Sequence, residues 1–124
     1  MANRIERFED LDAWQLARIQ NYEVCMLTRE IAFKSDFEFK SQFRRSALSV
    51  MNNLAEGFER IAILEKRRFY DYARASNGEV RSMTYAGEDF YHQYSAAFLE
   101  IRQRSIHLGK IITGLLRSTE QRRL

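Results

Sequence analysis

Residues 42–58 place Phe43, Ala47, Val50, Leu54 and Phe58 at spacings of four, three, four and four, which collects them on one side of a helix. A second row, Gln42, Arg45, Ser49, Asn53 and Glu56, runs at spacings of three, four, four and three beside it. The apolar stripe is core; the polar row needs a separate explanation. The rest of the chain divides in the same way. A segment over about residues 10–33 aligns Trp14, Ala17, Val24, Leu27 and Ile31. The pattern then breaks at "KSDFEFKSQ", where Ser35 followed by Glu38 predicts a capped helix start and a second helix over about residues 36–58. A third segment, about residues 64–91, puts Phe69, Ala73, Ser76, Val80, Met83, Gly87 and Phe90 on one face, and a fourth, about residues 95–118, aligns Phe98, Ile101, Leu108, Ile111, Ile112 and Leu115. The final "TEQRRL" reads as a frayed tail.

Helices of this size would be roughly 27 to 42 Å long. Short links between them force antiparallel neighbours, so the economical architecture is all-α: one domain over residues 1–124 built as an up-down-up-down four-helix bundle. The hardest boundary is "ERIAILEKRRF", which holds no Gly, Pro, Asn or Ser to stop a helix. One continuous helix of about 50 residues would satisfy the string, but such lengths are rare in a chain this short, and a break is expected near residues 59–64.

Composition agrees. Proline is absent, there are 5 glycines, and 45% of residues are hydrophobic and 30% charged, a balance that supports a folded helical core. A single cysteine, Cys25, excludes an internal disulfide and a cysteine-built zinc site and fits a cytoplasmic protein. No apolar leader and no run of about 18 apolar residues is present, so neither export nor a membrane span is expected. The net charge of +3 permits a polyanionic partner without requiring one.

Four strings, "FEDLDAWQLAR", "SQFRRSALSVMNNLAEGFER", "ARASNGEV" and "GKIITGLLRS", are similar to the four-helix bundle proteins of the ribosomal-RNA intervening-sequence family over about residues 8–118. The most specific part is the spacing of Gln42, Arg45, Ser49, Asn53, Glu56 and Gly57. The resemblance implies an up-down-up-down bundle that assembles as a ring of five and has no enzymatic activity; a remoter similarity, to accessory proteins of diversity-generating retroelements, adds nucleic acid as a partner. The chain departs from the family pattern at Met51, where proline is common, at Ala62, where a Ser or Thr helix start is usual, and at Lys66, where a large apolar residue stands. Its connector, Ile61, Ala62, Ile63 and Leu64, is unusually apolar, so either a neighbouring subunit covers it or the third helix starts early.

The polar row has two readings. In the structural one it meets the third helix, where Ser76 and Glu79 are three residues apart, or a neighbouring copy; Arg45 pairs with Glu79, Ser49 and Asn53 satisfy nearby polar groups, and the network sets register and assembly. In the functional one Arg44 and Arg45, with Arg60, Lys66, Arg67, Arg68 and Arg74, form a basic surface around the second hairpin, and Tyr70 and Tyr72 stack on bases. Glu56, Glu59, Glu65 and Asp71 are interleaved, so a solvated face explains the same residues. Five copies would carry roughly +15 and concentrate a weak bias.

Catalytic chemistry finds little support. His92 and His107 are the only histidines, and Asp89 with His92 supplies half of a bundle metal motif that needs two halves and further glutamates. Cys25 lies in an apolar stretch and reads as structural, Trp14 as a plug at a bundle end with its indole bonded to a carbonyl, and Gly57 and Gly78 as points of close helix approach. Arg117, Arg122 and Arg123 oppose the dipole of the last helix. The expectation is a non-enzymatic homo-oligomer without cofactor or metal, an interaction scaffold with RNA or DNA as the partner to test; the alternative is a dedicated nucleic-acid-binding protein. No particular protein partner is indicated.

Overall fold

The computed structural model describes residues 4–122. Four helices run Asp12–Leu27 (α1), Phe37–Glu59 (α2), Ile63–Phe90 (α3) and Ser95–Gln121 (α4), with short 3₁₀ turns at Phe8–Asp10, Ile31–Phe33 and His92–Tyr94. No strand occurs among the described residues. The break between α2 and α3 falls where expected, with α3 starting one residue earlier, at Ile63. The tail remains helical through Gln121, and Arg123 and Leu124 lie outside the described residues.

The first helix is shorter than its apolar pattern predicts. It stops at Leu27, where the Thr28 hydroxyl donates back to the Val24 carbonyl at 2.7 Å. The chain then turns so that Phe33 enters the core at 0% exposure, which leaves Ile31 82% exposed. Ile31 would continue the stripe four residues after Leu27, but the helix has ended and it is Phe33 that faces inward. Phe33 meets Phe39, Tyr91, Tyr94 and Phe98, with ring centroids 4.3 to 6.2 Å apart, and closes this end of the bundle.

The cap of α2 is Asp36, one residue after the expected Ser35. One carboxylate oxygen accepts the Phe39 N–H at 3.2 Å, and the other accepts the Tyr91 hydroxyl at 2.5 Å. Aspartate can serve both donors because it presents two acceptor oxygens, which a serine hydroxyl does not. The bond to Asp36 pushes the Tyr91 phenol up to about 12 and ties the α1–α2 link to the α3–α4 link.

Each helix packs on two others: α1 on α2 and α4, α3 on α2 and α4. Contacts that descend one helix while ascending the next make the neighbours antiparallel, as in Ser46 with Glu79 and Lys66 with the Phe58 carbonyl. Thr84 with Arg102 and Arg67 with Glu120 do the same for α3 and α4. The α2 stripe behaves as expected at Phe43, Ala47, Val50 and Leu54, all fully buried, while Phe58 is half-buried. Each large buried side chain contributes roughly 1.5–3 kcal/mol of transfer free energy.

On α3 the buried face is Tyr70, Ala73, Asn77, Val80, Thr84 and Gly87. Ala73, Val80 and Gly87 belong to the expected face. Phe69, Ser76 and Met83 are replaced by the residue that follows each, and Phe90 is 79% exposed. The physical reason is that Asn77 and Thr84, polar in sequence, find partners inside the bundle. Burial raises the Tyr70 phenol to about 12.

Two glycines mark true close approaches. A Cβ at Gly57 would lie 2.7 Å from the Tyr70 ring, and one at Gly87 would overlap the Phe98 ring. A Cβ at Gly78, where close packing was also expected, would meet nothing within 4 Å. Gly87→Ala should therefore destabilise by about 1–3 kcal/mol through overpacking against Phe98. Gly78→Ala should be neutral or stabilising by up to about 1 kcal/mol, because alanine restricts the unfolded chain and favours helix. Urea denaturation of the two variants checks the contrast.

Candidate nucleic-acid interface

The site begins with a buried polar layer. Gln20 on α1, Asn77 on α3 and Ser105 on α4 meet inside the bundle. The Gln20 amide donates to Asn77 Oδ1 at 3.3 Å, the Asn77 amide donates to the Ser105 carbonyl at 2.8 Å, and the Ser105 hydroxyl donates to Asn77 Oδ1 at 3.0 Å. These bonds hold α3 and α4 in one register, since a slip of a single residue would leave the Asn77 amide buried and unpaired. A Cβ at Gly109 would stand 3.3 Å from Asn77 Nδ2, so the helices come close at this level. One turn and more along the same seam, Arg102 is buried: its Nε donates to the Thr84 hydroxyl at 3.0 Å, an Nη lies 2.9 Å from the Glu88 carboxylate, and the guanidinium sits 3.8 Å from the Tyr85 ring centroid.

Outside this seam the two helices bound a groove formed by two adjoining pockets of about 720 and 410 Å³, which share Arg74, Thr113 and Arg117. On α3, Arg67, Asp71, Arg74, Gly78 and Arg81 follow at spacings of four, three, four and three. On α4, Ile106, Gly109, Thr113, Arg117 and Glu120 face them, with Lys110 alongside. Six cations, Arg67, Arg68, Arg74, Arg81, Lys110 and Arg117, and two carboxylates, Asp71 and Glu120, line the groove, a net of +4 against +3 for the whole chain. Arg67 is paired with Glu120 at 2.9 Å, and Arg68 with the Tyr72 hydroxyl at 2.7 Å and Glu65 at 3.7 Å. Arg74, Arg81, Lys110 and Arg117 are exposed and have no ion pair or side-chain hydrogen bond among the described residues. Their charges are available to a ligand.

The basic residues expected in one patch are thus divided. Arg67, Arg68 and Arg74 line the groove. Arg60 is held by Glu56 at 2.7 Å and lies over the Phe69 ring, and Lys66 donates to the Phe58 carbonyl at 2.6 Å, with its ammonium pKa lowered by burial and by Arg122. Arg44 is far along α2 from the hairpin, where its guanidinium donates to the Thr28 hydroxyl at 2.8 Å and the Cys25 carbonyl at 3.4 Å, closing the end of α1. Tyr70 is in the core, whereas Tyr72 is 42% exposed, its hydroxyl accepting from Arg68 and its ring edge-on to Phe69. Arg81, Lys110 and Arg117 were not grouped with them from sequence, because only the α3–α4 register brings the two helices' cations together.

The polar row of α2 is built in part. The Ser49 and Ser76 hydroxyls bond at 2.8 Å, and the Asn53 amide donates to the Ser49 hydroxyl and carbonyl, both at 2.9 Å. Glu79 accepts from Ser46 at 3.1 Å and makes no ion pair with Arg45, which is exposed, as are Gln42 and Glu56. Ser46, outside the expected row, takes the role assigned to Arg45 because its hydroxyl reaches the carboxylate from a buried position.

Of the remaining candidates, Asp89, His92 and His107 are exposed, and among the described residues no three His, Cys, Asp or Glu side chains gather as a metal group. Trp14 packs edge-on to Phe8 at 5.2 Å, under the entry segment as expected, with Arg18 over its ring in place of a hydrogen bond to a carbonyl. No helix among the described residues is long and apolar enough to cross a membrane.

These features define an all-α four-helix bundle with a cationic groove along one helix pair. The family described as 23S rRNA-intervening sequence protein matches residues 9–114, and the chain belongs to that family. A comparison with curated proteins found no match.

Burial separates the arginines. Arg102→Ala should cost about 3–5 kcal/mol, since it strands Glu88 at the edge of the core. Arg45→Ala should change monomer stability by no more than about 0.5 kcal/mol, as expected of an unpaired surface residue. Denaturation midpoints of both variants, measured at matched protein concentration, test the assignment.

Proposed function

We propose that the protein is a non-enzymatic, homo-oligomeric scaffold that binds nucleic acid, with RNA as the partner to which the family description points. The observation that carries this reading is the α3–α4 groove, where four exposed cations without partners stand on two facing helices. Cations placed this way repel one another and are relieved by phosphates, whose binding releases condensed counterions. A ring of five, the assembly implied by the family resemblance, would gather about +20 in its grooves and raise the local potential accordingly. The lone Cys25 accords with work in the reducing cytoplasm.

A scaffold that acts mainly through protein contact is the second reading. It is favoured by the outer α2–α3 face, where Arg45, exposed and without an ion pair or side-chain hydrogen bond among the described residues, lines a shallow depression of about 550 Å³ with Glu79, Ser49 and Asn53. That face suits contact between copies.

Titration of a labelled RNA with the full chain over a range of salt tests the main reading. The logarithm of affinity should fall against the logarithm of salt with a slope of about −3 for four phosphates on a single strand, and Arg74→Gln with Lys110→Gln should flatten it by about 1.4. Failure to bind RNA or DNA at low salt rejects the nucleic-acid function. Sedimentation at the mass of one subunit rejects the oligomer.

A further inference from the structure

We infer that the α3–α4 groove takes one unpaired polynucleotide strand in preference to a duplex, an inference that rests on the nucleic-acid function proposed above. Arg67 and Arg81 bound a straight row about 21 Å long at the helical rise of 1.5 Å per residue. An unpaired strand can be laid along such a row, phosphate by phosphate. In a duplex each backbone winds about the axis, so a straight groove between two helices meets it over a short arc.

The groove is also not uniformly polar. Leu64 is 59% exposed near one end and Ile106 is 39% exposed near the other, each in a pocket with the cations. Exposed aliphatic side chains gain from contact with the faces of bases, and those faces are open in an unpaired strand and stacked away in a duplex. Between the two apolar ends, Gly78 and Gly109 leave the floor without side chains, and nothing lies within 4 Å of a Cβ placed at Gly78. The backbone of a ligand can therefore descend between Arg74, Arg81 and Lys110. A second copy offering the same groove would bring a net +4 against +4 and be repelled.

The test is fluorescence anisotropy at low salt with the full chain and labelled polypyrimidine RNA, polypyrimidine DNA and a duplex of equal length. The single strands should bind about tenfold more tightly than the duplex, and Leu64→Ser with Ile106→Ser should lower single-strand affinity about tenfold while leaving duplex affinity and the salt slope unchanged. The wild-type preference needs no variant, so the test survives a variant that folds poorly. Equal or tighter binding of the duplex overturns the inference and leaves nucleic-acid binding intact. Loss of oligomer mass in the double variant, with strand binding unchanged, assigns the groove to a neighbouring copy and also overturns it. No binding of any probe removes the proposed function and this inference together.

Discussion

The side chain of Asn77 sets the register of the helices that bound the cationic groove. Its amide and carbonyl join α3 to α4 through Ser105 and reach α1 through Gln20, all within the bundle core. A buried amide is expensive unless bonded, so this arrangement penalises every other register of the helices around it. Stability is not its main product. An apolar layer of similar volume would pack at least as well without burying amides. What the layer provides is position: with α3 and α4 locked at Asn77, Arg74 and Lys110 lie near one another across the groove, and Arg67 reaches Glu120.

The same seam explains why the groove is open. Gly109 lets α4 approach Asn77, while Gly78 points where no side chain follows. At the two bundle ends the chain uses different devices. Asp36 joins the two links at one end by accepting from Phe39 and Tyr91, and Lys66 closes the other by donating to the last turn of α2. Bonded ends and a fixed seam set the spacing of the cations along the groove.

Basic residues on this chain are not equivalent, although they look alike in sequence. Arg102 is an internal strut, Arg44 a cap for α1, Arg60 half of a local ion pair, and Arg74 an uncommitted charge. Mixed charge along the sequence conceals this division, because Glu59 and Glu65 alternate with the arginines while the groove takes in only one face, Asp71 included.

The amino-acid sequence by itself determined the helical class and the α2 core stripe from Phe43 to Leu54, which follow from local periodicity and propensity, and a break near residues 59–64, which follows from the rarity of very long helices in so short a chain. It also carried the expectation that Ser49 meets a polar group nearby, while its partner, Ser76, is supplied by the packing of α2 on α3. Tertiary structure alone decided that α1 ends at Leu27 so that Phe33 can turn inward, that Asn77 and Thr84 are buried, and that Glu79 takes Ser46 instead of Arg45. Polar residues are assigned to the surface by pattern, and only a partner on another helix can reverse that assignment. For the same reason the groove was out of reach: the cations it takes from α3 and those it takes from α4 lie some thirty positions or more apart along the chain and become neighbours through the packing of α3 on α4.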